Sequence, residues 1–202
     1  MKEENRKQKI TELKTFPVPF TSGEIKGNNS ISKGTSSKLS KEQLIQQAFQ
    51  FHSQGNTAEA TKYYQEFIKQ GYQDNTVFSN YGALLRSLGN LKEAEISYRK
   101  AIELNPKYAM AHCNLGVILK DLSNLKEAEL STRKSIELNP KYAIAHCNLG
   151  VILKDFGNLK DAELSARKAI ELNPDLAEAH FILGKIMRTI GNLDEAVLSL
   201  WK

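Results

Sequence analysis

AMAHCNLGVILKDLSNLKEAELSTRKSIELNPKY, residues 109–142, is followed directly by AIAHCNLGVILKDFGNLKDAELSARKAIELNPDL, residues 143–176. The two stretches of 34 residues differ at 8 positions, which in the first copy are 110, 122, 123, 127, 132, 135, 141 and 142. A fixed period of this length marks a tandem array in which each unit is one supersecondary element stacked on the next. Function in such a chain belongs to a repeated surface rather than to a single catalytic cluster.

Stepping by the same interval in both directions gives the units 41–74, 75–108, 109–142, 143–176 and an incomplete 177–202. In the third unit His112, Leu115, Gly116 and Leu119 fall at i, i+3, i+4 and i+7, one stripe of a helix; His146, Leu149, Gly150 and Leu153 repeat it in the fourth. This first helix of each unit, helix A, ends where Gly89, Gly157 and Gly191 supply a left-handed residue, and Asn90, Asn158 and Asn192 are placed to cap the next helix. Ser123 stands where glycine is expected, so its turn is predicted to be strained. The NLKE, NLKD and NLDE segments put an acid three residues after the cap, where it is expected to reach back to the cap's N–H. Helix B carries its own stripe, as in Leu91, Ala94, Tyr98, Ala101 and Ile102, and stops at Asn105-Pro106, because proline drives the residue before it out of the helical region. Between the two helices, Gly82, Gly116, Gly150 and Gly184 are expected to face the small Ala94, Ala128, Ala162 and Ala196.

This alternation of small and large residues, with its Leu-Gly, Gly-Asn, Ala and Pro positions, resembles the tetratricopeptide repeat over residues 41–202. Within that family the AHCNLG, ILKD, AEL and IELNP segments look most like the repeat region of bacterial proteins similar to the superhelix of O-linked N-acetylglucosamine transferase. The chain departs from the pattern at His112, His146 and His180, which replace a usual Trp, at Thr132 and Ala166, which replace a large residue, and at Tyr72, where Pro is expected. The resemblance implies an all-α fold, an α-solenoid of about five antiparallel helix pairs, with the first unit least regular.

Stacking places the A helices along a concave groove, whose lining positions form the candidate site. Asn80, Asn114 and Asn148 make one column, and an Asn amide carries the donors and the acceptor needed to clasp a peptide backbone. The column resembles the asparagine ladder of the transferase superhelix; Ile182 breaks it in the fifth unit, and Gln46 extends it only in part in the first. On this reading, replacing Asn114 and Asn148 by Ala lowers peptide affinity and leaves stability unchanged. A second column, His52, Arg86, Lys120, Lys154 and Arg188, is suited to an acidic segment of a partner, with Asp121 and Asp155 adjacent and able to neutralise it. The chaperone-type carboxylate clamp is not expected, because Ser79, Ala83, Cys113, Val117, Cys147 and Val151 occupy the inner positions where Lys and Asn are needed.

The remaining composition bounds the function class. The chain is 41% hydrophobic and 25% charged, normal for a globular protein, and no apolar run approaches membrane-spanning length. Of the net charge of +5, most lies in residues 1–40, which hold eight Lys or Arg against four Glu; this Ser-, Gly- and Asn-rich stretch reads as a disordered or irregular leader. Within it FPVPF, residues 16–20, is a linker or a short stiff docking segment. MKEENRKQK at the start is not a signal peptide, so a cytoplasmic location is expected. Cys113 and Cys147 are the only cysteines, and their adjacency to His112 and His146 is explained by repetition, since neighbouring helical side chains point about 100° apart. With no phosphate loop, nucleophile elbow or recurrent carboxylate pair, no enzyme activity, cofactor or metal is expected, nor binding to nucleic acid or membrane. The expected function is a non-catalytic module for a protein or peptide partner. The alternative is the substrate-recognition part of a repeat-containing glycosyltransferase or other group-transfer enzyme. Leu200, Trp201 and Lys202 fall inside the fifth helix B, leaving an uncapped apolar end that suggests truncation, self-association through that end face, or fraying.

Overall fold

The computed structural model describes residues 38–200. The leader read over residues 1–40, except for its last three residues, and the uncapped Trp201 lie outside the described residues. Ten helices follow in order: α1 (Lys41–Ser53), α2 (Thr57–Lys69), α3 (Asn75–Ser87), α4 (Leu91–Leu104), α5 (Ala109–Asp121), α6 (Leu125–Leu138), α7 (Ala143–Asp155), α8 (Leu159–Leu172), α9 (Ala177–Ile190) and α10 (Leu193–Leu200). Odd-numbered helices are the A helices and even-numbered ones the B helices, and among the described residues there is no strand.

Each hairpin turn is closed by the backbone. In the second unit Gly89, at φ 80°, donates to Arg86 O at 2.9 Å, and Asn90 donates to Leu85 O at 2.9 Å. This pairing satisfies carbonyls that the end of an α-helix leaves without partners. Ser123 makes the equivalent bond to Lys120 O at 2.9 Å from φ 63°, the one positive φ among described non-glycine residues, which is the strain anticipated for it. The bond expected from the acid to the backbone N–H of the cap does not form at Asn90, Asn124 or Asn158, for a physical reason. The N–H groups of Asn90, Asn124 and Asn158 already donate to Leu85, Leu119 and Leu153 of the preceding helix, so no N–H is left for the acid. Asn158 accepts from Asp161 N, whereas the side chains of Asn90 and Asn124 make no cap bond. A reciprocal capping box stands at the start of α1: Gln43 N donates to Ser40 Oγ at 3.2 Å and Ser40 N to Gln43 Oε1 at 2.9 Å.

The other end of the hairpin is held by residues whose role sequence reading missed. After α4, α6 and α8 the side-chain oxygens of Asn105, Asn139 and Asn173 accept from Lys107, Lys141 and Asp175 N, making tight turns at each Asn-Pro. The ring Nε2 of His112, His146 and His180 lies 3.0, 3.0 and 2.8 Å from the carbonyl oxygens of Pro106, Pro140 and Pro174, to which it donates. These histidines thus fasten each A helix to the loop that delivers it. Burial lowers the His112 pKa from its ordinary value, which keeps the ring neutral, while the bond to the Pro106 carbonyl opposes the shift. In the first unit no proline is present: Gly71, at φ 79°, ends α2, and Tyr72 packs on Phe67 with ring centroids 5.5 Å apart.

The tightest contact is between the A and B helices of one unit. A Cβ on Gly82 would meet the Tyr98 ring at 2.9 Å; one on Gly116 would run into the Thr132 hydroxyl and lie 3.0 Å from Ala128 O; one on Gly150 would lie 3.2 Å from Ala162 O. The partner side chains of these glycines are therefore Tyr98, Thr132 and Ala166, one turn beyond the alanines expected to face them. Helical side chains lean toward the N-terminus, so the residue covering a given spot comes from the following turn. The alanines contribute their backbone instead, and Ala60, Ala94, Ala128 and Ala162 are fully buried.

Units are joined asymmetrically. Each A helix packs on its own B helix, on the B helix before it and on the preceding A helix, whereas among the described residues no two B helices pack together. Successive B helices are bridged by long side chains, as where Arg99 meets Glu127 at 3.0 Å. Close A-to-A spacing with wider B-to-B spacing bends the stack so that the A helices line the inside of the curve. Gly116→Val is expected to overpack the hairpin and cost about 1–3 kcal/mol. Gly150→Ala, whose new methyl group would have its nearest neighbours at 3.2 Å or more, in Ala162 and Ala166, should cost less. Urea unfolding midpoints check both, and an unchanged midpoint for Gly116→Val would contradict this packing.

Candidate functional site

The floor of the inner wall is built from small and apolar side chains. Ser79, Ala83, Cys113, Val117, Cys147 and Val151 are all buried there. Asn80, Asn114 and Asn148 are buried with them, at 3%, 0% and 3% exposure. The asparagine column was expected to present its amides to a ligand; in the structure the three residues are almost closed off from solvent. In the fourth unit this position faces the preceding A helix. Asn148 Nδ2 accordingly donates to Cys113 Sγ of the preceding unit at 3.2 Å. Ile182, 4% exposed, fills the same position in the fifth unit, an apolar side chain suited to a packing position. That substitution was the available sequence signal. The same desolvation governs Cys113, whose thiol is pushed up to about 12 by burial, against smaller opposing effects of Asn148 and Ser135.

The basic column divides. His52 is not a groove cation: its Nδ1 lies 3.0 Å from the Tyr64 hydroxyl, and burial lowers its pKa. The others line the wall near the C-terminal ends of the A helices, where a cation also offsets the helix dipole. Arg86 Nε meets Asp121 Oδ2 of the next unit at 3.0 Å, Lys120 lies 3.6 Å from Asp121 and 3.9 Å from Asp155, and Lys154 pairs with Asp155. The carboxylates thus form a zipper between units, neutralising much of the charge the column was expected to offer. Arg188 is exposed at the end of α9.

These side chains border a cleft of about 980 Å³, lined by Ala83, Ser87, Leu91 and Leu125 together with Arg86, Lys120, Asp121 and Asp155. The charged walls remain accessible, with side-chain exposures from 17% for Arg86 to 30% for Asp155. On the opposite side, Ile96, Leu130, Leu164 and Leu198 stand exposed at one residue per unit on the B helices, a row that sequence reading passed over. Leu193 and Val197 are exposed on α10, the last described helix. Among the described residues, no group of three or more His, Cys, Asp or Glu side chains is placed to hold a metal ion, and no helix is long and apolar enough to cross a membrane.

Comparison with known proteins agrees with this fold. Residues 44–172 match the family model described as the cilia and flagella-associated protein 70 middle TPR-like domain, and residues 147–200 match a tetratricopeptide repeat model. A search of curated proteins gives no match. Among solved structures, MamA from Desulfovibrio magneticus RS-1 is 21% identical with a TM-score of 0.71, covering 81% of this chain and 93% of that one. TTC0263, a thermophilic TPR protein of Thermus thermophilus, is 20% identical with a TM-score of 0.66, covering 79% and 88%. YrrB, described as a TPR protein with an unusual peptide-binding site, is 21% identical with a TM-score of 0.64, covering 79% and 82%. At these identities the likeness speaks to fold. None of these proteins is described as a transferase, so the resemblance to the transferase superhelix goes no further.

Burial of the asparagine column reverses the effect expected of its replacement. Asn148→Ala removes the bond to Cys113 and leaves a cavity, and should lower stability by about 1–3 kcal/mol. In the folded chain Cys113 should resist a water-soluble thiol reagent, its labelling tracking unfolding. Unchanged unfolding in urea for Asn148→Ala would return that residue to the groove.

Proposed function

This chain belongs to the tetratricopeptide-repeat family, through the TPR-like domain whose model spans residues 44–172, and from that premise we propose that it is a non-catalytic module that holds an extended segment of a partner protein along its inner wall. The observation that carries this reading is the cleft bordered by Arg86, Lys120, Asp121 and Asp155, which runs from the second unit to the fourth beside Ala83, Ser87, Leu91 and Leu125. A cleft that crosses three units with charged borders suits the side chains of an extended segment. The partner's register is then fixed by charge, since Arg86, Lys120, Lys154 and Arg188 recur at the period of the units. An extended segment rises about 3.3 Å per residue and packed helix layers lie about 10 Å apart, so about one residue in three meets each cation. The description of YrrB as a peptide-binding TPR protein is in keeping with this use of the fold.

A photo-crosslinking residue at Ser87, on the cleft, should capture a partner from native lysate, and the same residue at Leu164 on the outer helices should not. Equal capture from both positions, or capture from Leu164 alone, would move the site off the inner wall.

A further inference from the structure

The fifth unit departs from the fourth where the groove is, while keeping the framework of the repeat. Ala179, His180, Leu183, Gly184, Ile186 and Gly191 preserve the type of residue found 34 positions earlier. In contrast, Cys147 gives way to Phe181, Val151 to Lys185, and Asp155 to Thr189. The last two changes both make the wall more positive. Upstream, the carboxylate of each following unit answers the cation before it: Asp121 meets Arg86, and Asp155 meets Lys120. At the next step Thr189 stands where the carboxylate for Lys154 would be, so Lys154 turns to Asp155, which it shares with Lys120. At the three repeat positions that hold Lys185, Arg188 and Thr189 in the fifth unit, the second to fifth units set five cations, Arg86, Lys120, Lys154, Lys185 and Arg188, against two carboxylates, Asp121 and Asp155, and the surplus falls at the C-terminal end. Neither Lys185 nor Arg188 forms an ion pair among the described residues, and the Lys185 ammonium sits 5.4 Å from the centre of the Phe181 ring.

We infer that the inner wall between the fourth and fifth units is an anion subsite, formed by Lys154, Lys185 and Arg188 beside Phe181, that takes the carboxylates of an acidic stretch in a bound protein segment. This deepens the groove reading above and rests on it. Burial lowers the pKa of Lys185, and the nearby Lys154, Arg188 and Lys120 add to the shift while Asp155 opposes it. The position is thus one of net positive potential even with Asp155 present, and a carboxylate entering there relieves like-charge crowding. The chemistry favours Asp or Glu over a nucleic-acid backbone. A polyanion running the length of the wall would lie against Asp121 and Asp155. An acidic cluster needs only the end of the groove.

The test is fluorescence anisotropy of a labelled hexaglutamate peptide on the full chain at low salt, with hexaglutamine and a short oligothymidylate as comparison probes. Lys185→Gln and Arg86→Gln each remove one positive charge; the first should weaken hexaglutamate binding by about fivefold or more and the second by less than about twofold. Thr189→Asp, which restores the carboxylate of the earlier units, should act like Lys185→Gln, with melting temperatures little changed for both because Thr189 is exposed and Lys185 only partly buried. Equal losses from Arg86→Gln and Lys185→Gln, no preference for hexaglutamate over hexaglutamine, or tighter binding of oligothymidylate would each overturn the subsite. If the subsite fails while crosslinking through Ser87 persists, the groove function stands and only its acidic preference is lost; failure of both removes the groove reading itself.

Discussion

Everything in this array depends on how closely two backbones approach inside each hairpin. Gly116 against Ala128 and Thr132, and Gly82 against the Tyr98 ring, leave no room for a methyl group that does not displace something. Packing this tight fixes the angle between helices A and B, and that angle is copied from unit to unit because the residues that set it are copied. The fixed hairpin then presents the same edge to its neighbour each time. The A helices stack directly on one another while the B helices are spanned by side chains such as Arg99 and Glu127. Curvature, inner wall and cleft follow from that inequality in spacing.

Periodicity made the helices, their turns and the order of the units readable, because each is dictated by local chemistry: a left-handed residue at 89, 157 and 191, proline after Asn105, Asn139 and Asn173, apolar residues at helical spacing. The direction in which a repeated side chain points was less readable. Counting by 34 shows that Asn80, Asn114 and Asn148 share a position but not whether that position looks into the groove or at the next helix, and an angle of a few tens of degrees separates the two. Ile182 in the same column was the usable hint, since an apolar residue there suits a packing position. The cap asparagines illustrate a related limit. Their backbone N–H groups are consumed by the helix before them, a competition invisible to a motif scan that reads each helix start alone.

The inner wall also shows how a repeat array acquires individuality. Residues that hold the units together are constrained by contact on every side and recur with little change. Those along the wall touch solvent on one side, so they are free to differ without altering the stack. In the second to fourth units that freedom is spent on alternating Arg, Lys and Asp, which tie neighbouring A helices together by charge as well as by packing. In the fifth unit the alternation stops, and Lys185 and Thr189 change the sign of the surface without disturbing His180, Leu183 or Ile186 beneath.

The bend of the stack is open to direct measurement by paired spin labels and pulsed dipolar spectroscopy. Ser87 and Thr189 lie on A helices, Ile96 and Leu198 on B helices, and each pair is separated by the same three units and is solvent-exposed. A stack curved with its A helices inside predicts a shorter distance for Ser87–Thr189 than for Ile96–Leu198. Equal distances would describe a straight stack without an inner wall, and a reversed order would place the B helices on the inside, contradicting the account.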